Sequence, residues 1–119
     1  MFISVLARRL KPGKTYEDFV RAWYPDKGFG VPMRGPYLAR SLQDEREIIA
    51  VGFVDLDSAD DLMAGMGQVA AQESVRHERI DEIIESTELR GIYEVVEGFD
   101  FSTDESVARS RPPDLDPPT

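Results

Sequence analysis

The sequence predicts an α+β fold in which a four-stranded antiparallel sheet carries helices on one face. Three observations support this. The elements follow the order β-α-β-β-α-β, a capping signal precedes each helix, and at least two of the strands are apolar on both faces. The 119 residues fit one domain of ordinary size, and the 41% hydrophobic content is enough for a core.

The first strand and the first helix are separated by a clear break. Residues 2–7 are rich in strand-forming side chains, and Lys11-Pro12-Gly13 interrupts the chain after them. Thr15 is a good N-cap, and Asp18 follows three residues later as in a capping box. The apolar positions after this cap have helical spacing: Tyr16, Phe19, Val20 and Trp23. Pro25 is expected to end the helix at the preceding residue.

A long loop and a hairpin follow. Residues 25–36 contain three prolines and three glycines and are predicted as a loop. Residues 37–43 and 47–55 are predicted as the two strands of an antiparallel hairpin, with a short polar turn at 44–46. Ser58 is the expected N-cap of the second helix.

The second helix is predicted to carry apolar residues as far as Ile84. Gly65 and Gly67 both lower helix propensity, so we expect a kink or a break near them. The last strand is predicted over residues 92–96.

The composition changes after residue 101. Residues 102–119 contain four prolines, four acids and almost no large apolar side chains. Such a segment cannot bury enough apolar surface to offset the entropy lost on ordering. We therefore predict a folded domain over residues 1–101 and a disordered, acidic and proline-rich tail over residues 102–119.

The two-sided strands predict that both faces of the sheet are covered. In the third strand, Ile48, Ala50 and Val54 lie on one face, and the other face is equally apolar: Ile49, Val51 and Phe53. A sheet with one solvated face would alternate apolar and polar residues. Because the tail is too polar to serve as a cover, we expect a homodimer in which two sheets face each other.

Charge and composition exclude several classes of function. The net charge of −9 repels phosphate backbones and anionic membrane surfaces, so neither nucleic acid nor a membrane is an expected partner. No apolar run reaches the length of a membrane span, and the first residues do not resemble a signal peptide. The chain has no cysteine, which excludes disulfides. A cytoplasmic location is the expectation.

Residues 1–100 resemble the dimeric α/β-barrel superfamily in their element order, their two-sided strands and the long loop after the first helix. This resemblance implies a ferredoxin-like fold, a homodimer and a ligand cavity between the sheet and the helices. The superfamily includes cofactor-free monooxygenases acting on polycyclic aromatic substrates, haem-degrading monooxygenases, stress-responsive barrels, and small isomerases and decarboxylases. The fold alone does not choose among these functions.

His77 is the only histidine and the first candidate for chemistry. It could act as a general base or as an axial ligand of haem iron; alternatively it is a core histidine, or it pairs with Glu73 one turn earlier. Haem-degrading members of the superfamily normally use an Asn on the first strand and a Trp on the second helix. This chain has Ser4 and no Trp at those places, so no resident cofactor is expected. No metal site is predicted, since a second His or a Cys is lacking.

An aromatic group with one cation surrounds the long loop. The aromatic residues Trp23, Tyr24 and Tyr37 lie near its ends, and Phe29 and Arg34 lie within it. Together they could form a pocket for a planar, anionic or phenolic ligand. The alternative is that Trp23 belongs to the core and that the two tyrosines lie on the surface.

Two functions therefore remain open. The first is a cofactor-independent monooxygenase or isomerase acting on an aromatic or polyketide-like small molecule in an enclosed pocket. In that reading His77 is the base, and Tyr37 or Arg34 stabilises an oxyanion. The substrate-binding residues are Trp23, Tyr24, Phe29 and Met66. The second function is a non-catalytic, small-molecule-binding or stress-related dimeric module.

Overall fold

The protein folds around one antiparallel sheet. The structure, a computed structural model, describes residues 1–115. Its elements are β1 (Phe2–Leu10), α1 (Tyr16–Trp23), β2 (Met33–Arg40), β3 (Glu47–Val54), α2 (Ala59–Gln68), α3 (Ala70–Asp81), β4 (Ile84–Glu94) and α4 (Asp104–Ser110). The strand order is β2-β3-β1-β4, which is the ferredoxin-like arrangement, so the predicted α+β fold is confirmed. Within the described residues, no helix is long and apolar enough to cross a membrane.

The first helix begins at the predicted cap. The Oγ1 atom of Thr15 accepts a hydrogen bond from the backbone N–H of Asp18 at 3.2 Å, and the Asp18 carboxylate accepts one from the N–H of Thr15 at 2.9 Å. Loss of such a cap costs about 0.5–2 kcal/mol. The apolar stripe of α1 turns inward, where Phe19 and Trp23 are buried.

The second predicted helix is divided at Val69, which ends α2 and begins α3, so the predicted break is confirmed. Gly65 lies where the long loop contacts α2, and a Cβ atom there would lie 2.6 Å from the backbone oxygen of Gly30. Gly30 itself has a φ of +79°, which other residues rarely adopt. These two glycines let the loop backbone approach the helix directly.

The end of the helix and the last strand differ from the prediction. α3 ends at Asp81, and Ile84 is the first residue of β4, which runs to Glu94 rather than over residues 92–96. The first part of β4 is polar, yet its backbone pairs with β1, which continues to Leu10 instead of ending at residue 7. Its side chains are mostly exposed, so their polarity concealed the strand.

The second strand is also displaced from its predicted position. β2 covers Met33–Arg40 rather than residues 37–43, so the end of the predicted loop is already strand. β2 is an edge strand, and its pairing with β3 is irregular between Arg34 and Tyr37. An edge position tolerates Pro36, which has no N–H for a ladder.

The two faces of the sheet have different surroundings. On the inner face, the alternate residues Ile48, Ala50 and Val54 of β3 are buried against the helices. On the outer face, Ile49 and Tyr93 keep 37% and 47% of their surface exposed. The chain therefore leaves an apolar sheet face accessible to solvent.

The predicted disordered tail contains a short helix. Thr103 and Ser106 form a capping box at the start of α4. The rings of Phe99 and Phe101 stack at 5.5 Å just before it, and these rings lie beside apolar residues of α4 and the segment after it. Local capping and this aromatic pair provide contacts that the composition of the segment did not indicate. Residues 116–119 lie outside the described residues, and the domain division at residue 101 stays a prediction.

Candidate functional site

A cavity of about 570 Å³ lies between the inner face of the sheet and helices α2 and α3. Much of its wall is apolar: Phe29, Val31, Met33, Val54, Leu62, Met66, Val69, Ala70 and Ile92. The wall formed by α3 and its neighbouring strands is polar: Ser4, Glu73, Ser74, His77, Glu78, Asp81 and Arg90. A second cavity, of about 380 Å³, shares Ser4, His77 and Arg90 with the first and extends to Trp23 and Arg76. The site is thus an apolar space with one polar wall.

His77 lines both cavities, and Arg8 of β1 contacts its imidazole ring. An Nη2 atom of Arg8 lies 3.2 Å from Nδ1 of His77. A guanidinium can only donate hydrogen bonds, so Nδ1 must accept. The proton of the neutral ring is therefore on Nε2. This tautomer offers a hydrogen-bond donor to a ligand and has no free lone pair on the ring.

The surroundings of His77 keep the ring neutral. Burial lowers its pKa, and the cations of Arg8, Arg90 and Arg76 lower it further, whereas Glu73 raises it. The direction follows from elementary electrostatics, because both desolvation and nearby positive charges disfavour an imidazolium. At neutral pH, His77 is thus an uncharged donor.

Arg8 is an unusual residue for the interior of a sheet. Its surface is only 2% exposed, and its Nε and Nη1 atoms have no hydrogen-bond partner within residues 1–115. Burial lowers the pKa of its guanidinium, while the negative charge of Asp81 opposes this effect. A buried cation with unpaired N–H groups is costly, so its retention beside His77 suggests a role at the site.

Arg76 fixes the helix that carries His77. Its Nε and Nη2 atoms donate to the carboxylate of Glu73 at 2.7 and 3.0 Å, and its Nη1 atom donates to the backbone oxygen of Trp23 at 2.7 Å. Its guanidinium also lies over the rings of Trp23 and Phe29, 5.6 and 5.1 Å from their centroids. Because Glu73 is held in this way, it pairs with Arg76 and not with His77.

Arg79 makes a similar contact one turn later. Its side chain donates to the backbone oxygens of Ala22 and Tyr24 at the end of α1. Cations stabilise the unpaired carbonyl groups of a helix C-terminus. Arg76 and Arg79 of α3 thus both bind the end of α1, which the spacing of residues in the sequence does not indicate.

Three of the predicted ligand-binding residues do lie at the cavity. Met66 and Phe29 line both parts of it, and Trp23 lines the smaller part. Trp23 is also buried in the main core cluster, so its two alternative roles are combined in one residue. Tyr24 is different, since 66% of its surface is exposed and it lines neither part.

Tyr37 and Arg34 are not brought to His77. Both lie on the outer face of the sheet, where the ring of Tyr37 packs edge-on against Phe53. Arg34 lies over the same Phe53 ring at 5.4 Å and forms an ion pair with Asp55. The reason is the strand alternation, because the extended β2 places these two side chains opposite to those that face the helices. Arg90 of β4 lines both cavities instead, and Arg76 lines the smaller one.

The residues beside His77 do not fit a haem group. An iron ligand needs a free imidazole lone pair, but Nδ1 is bound to Arg8 and Nε2 carries the proton. Arg8 would also have to leave His77 for the proton to move. For metal ions in general, the described part of the chain contains no group of three or more His, Cys, Asp or Glu side chains that could bind one.

Several solved structures are similar to this chain in fold. One is assigned as an antibiotic biosynthesis monooxygenase of Chloroflexus aurantiacus, with a TM-score of 0.59, 13% identity, and 83% of this chain and 96% of that chain covered. An uncharacterised NIPSNAP domain protein of Burkholderia xenovorans has a TM-score of 0.56 and 19% identity, with 81% and 95% covered.

These likenesses concern the ferredoxin-like fold. The chain shares their fold. The resemblance found in the sequence is therefore confirmed for the fold. No family model matches the sequence, and a search of curated proteins finds no match either.

The lowered pKa of His77 predicts a pH dependence of stability. The unfolded chain, with an ordinary imidazole, binds a proton at a higher pH than the folded protein. The free energy of unfolding should therefore fall as the pH decreases from about 7.5 to about 5, a window above the titration of ordinary carboxylates. In the His77→Gln variant this decrease should be smaller. Urea unfolding at one protein concentration measures both, and equal pH slopes for the two proteins would contradict the prediction.

Proposed function

We propose that the chain binds an aromatic or polyketide-like small molecule in the cavity beside His77. It acts on this molecule as a cofactor-independent monooxygenase or isomerase. The observation that carries the proposal is the cavity itself, with a volume of about 570 Å³ and an apolar wall opposite His77 and Arg90. Ligand sites typically combine a largely apolar lining with a few convergent polar groups. Similar structures assigned as antibiotic biosynthesis monooxygenases add support at the level of the fold.

His77 has a different role in this proposal from the one expected from sequence. A base needs a free lone pair, which the Arg8 contact removes from the neutral ring. The Nε2–H group instead donates to an oxygen atom of the substrate. A neutral imidazole donor stabilises negative charge on such an oxygen without itself transferring a proton in the resting state.

A panel of naphthols and hydroxyanthracenes tests the proposal. We expect members of the panel to raise the thermal midpoint of the protein and to be converted, which ultraviolet spectra and oxygen uptake detect. His77→Ala should lower the rate by about 100-fold or more, because a preorganised donor is lost. Arg21→Ala, at an exposed position of α1, is the control and should retain the rate. If His77→Ala keeps full activity on a converted compound, His77 has no part in the reaction.

The second candidate is a non-catalytic binding module. The observation that favours it is again the Arg8–His77 contact, since the only imidazole of the chain then lacks the lone pair that acid–base catalysis requires. The same panel separates the two candidates. A raised thermal midpoint without spectral change or oxygen uptake would favour the binding module over the enzyme.

A second copy of the chain is the proposed cover of the outer sheet face. This face consists of apolar side chains at alternate positions of the strands: Ile3, Val5, Ala7, Tyr37, Ala39, Ile49, Val51, Phe53, Leu89 and Tyr93. Many of them are partly exposed, although burial of apolar surface is worth about 25 cal/mol per Å². Two such faces are self-complementary, as a symmetric dimer requires.

Sedimentation tests the proposed homodimer. The wild-type protein should sediment as a dimer at micromolar concentration, and Ile49→Lys should shift it towards monomer, because a charge would be buried in the interface. Met63→Lys is the matched control on α2, where the replaced side chain is 63% exposed and lies away from the outer face. A wild-type monomer, or equal effects of the two lysines, would exclude this interface.

A further inference from the structure

We propose that the ligand of this cavity is an apolar monocarboxylate, whose carboxylate lies between the Nε2–H group of His77 and the guanidinium of Arg90. This inference rests on the proposed function, because it assigns a ligand class to the same cavity. It goes beyond that function by naming the group that the polar wall recognises.

The first argument concerns hydrogen-bond donors without partners. Within residues 1–115, the guanidinium of Arg90 forms no hydrogen bond or ion pair, and neither does the hydroxyl of Ser4. Both line the two cavities with His77, whose Nε2–H is also free to donate. The guanidinium and the Nε2–H group can only donate, and the hydroxyl of Ser4 can donate as well, so the set is suited to a carboxylate, which accepts only. The fork of a guanidinium also matches its two oxygen atoms.

The second argument concerns charge. Three cations, Arg8, Arg76 and Arg90, act on His77. Glu73 is occupied by Arg76 at 2.7 Å, and the charge of Asp81 acts on Arg8. Arg90 therefore forms no ion pair within residues 1–115, which favours a ligand with a single negative charge.

The remaining acids limit the charge that the ligand can carry. Glu78 and Asp81 also line the cavity from α3, and both are exposed, as Arg90 is. Together with the net charge of −9, they disfavour a dianion such as a phosphate monoester. A monocarboxylate is the anion that this wall can accept.

The third argument is the space for the rest of the ligand. Across the cavity from α3, the wall is formed by apolar side chains of α2 and the sheet, among them Leu62, Met66 and Met33. Methionine side chains adapt to flat or irregular apolar surfaces. A fused-ring or branched hydrocarbon body can thus lie against them while its carboxylate reaches His77 and Arg90.

A pair of fluorescent ligands tests the inference on the full chain. Anthracene-2-carboxylate and 2-(hydroxymethyl)anthracene have the same ring system and differ in charge, and fluorescence titration at neutral pH measures both affinities. We expect the carboxylate to bind at least about tenfold more tightly, as a charge-assisted hydrogen bond provides. Arg90→Met should remove this preference, and Arg90→Lys should retain part of it. Arg21→Met changes the net charge equally on the surface of α1 and should retain the full preference.

Variants of His77 separate its donor role from a general structural effect. Gln can accept from Arg8 with its oxygen and donate with its nitrogen, so His77→Gln should keep the preference for the carboxylate. The Leu side chain of His77→Leu cannot donate a hydrogen bond, so the preference of this variant for the carboxylate over the alcohol should fall by about tenfold. Circular dichroism confirms that both variants are folded.

The outcomes distinguish this inference from the function on which it rests. If the alcohol binds the wild type as tightly as the carboxylate does, the inference is wrong. The proposed binding of aromatic molecules in the cavity is then still supported. The same conclusion follows if Arg90→Met weakens both ligands equally. If neither ligand binds, the cavity is not a site for such molecules, and the proposed function fails together with the inference.

Discussion

The position of helix α3 depends on one buried guanidinium. Arg76 joins the helix to the end of α1 through the backbone oxygen of Trp23, and it is held on its own helix by Glu73. The two aromatic rings beside it, Trp23 and Phe29, shield these bonds from water. Hydrogen bonds between charged groups are stronger in such surroundings than in solvent. Arg79 and the fully buried Ile80 add further contacts between α3, which forms the polar wall of the cavity, and α1.

The contacts of Arg76 also set the orientation of the next residue, His77. Successive side chains of a helix point about 100° apart, so with Arg76 directed to α1, His77 is directed to the sheet and the cavity. There the guanidinium of Arg8 in β1 donates a hydrogen bond to Nδ1 of His77, so the proton of the neutral ring is on Nε2. A buried cation thus determines the chemistry of the only histidine. The site is better described as a set of donors beside an apolar space than as an acid–base centre.

Much of the fold, but less of the site, could be predicted from the sequence. Caps at Thr15 and Ser58 and the apolar spacing of the helices are local signals, and the order of elements followed from them. The start of β4 was missed because Ile84 continues a helical spacing, while its pairing partner Leu10 is far away in the chain. The same limit applies to the site. His77 could be picked out because it is the only histidine. Its contact with Arg8 could not be predicted from residue spacing, because the two residues are 69 positions apart. Tyr37 and Arg34 were expected in the pocket with His77, but the extent of β2 was unknown, and this strand places both on the outer face.

The central claim is the state of the His77 ring, and NMR of its two nitrogens tests this claim most directly. The chain has one histidine, so its ring signals need no assignment by mutation. At neutral pH we predict an unprotonated Nδ1, a protonated Nε2, and a pKa below the ordinary value of 6.5. In Arg8→Met, the ring should lose its strict preference for this tautomer. A proton on Nδ1 in the wild type, or a pKa at or above 6.5, would contradict the account.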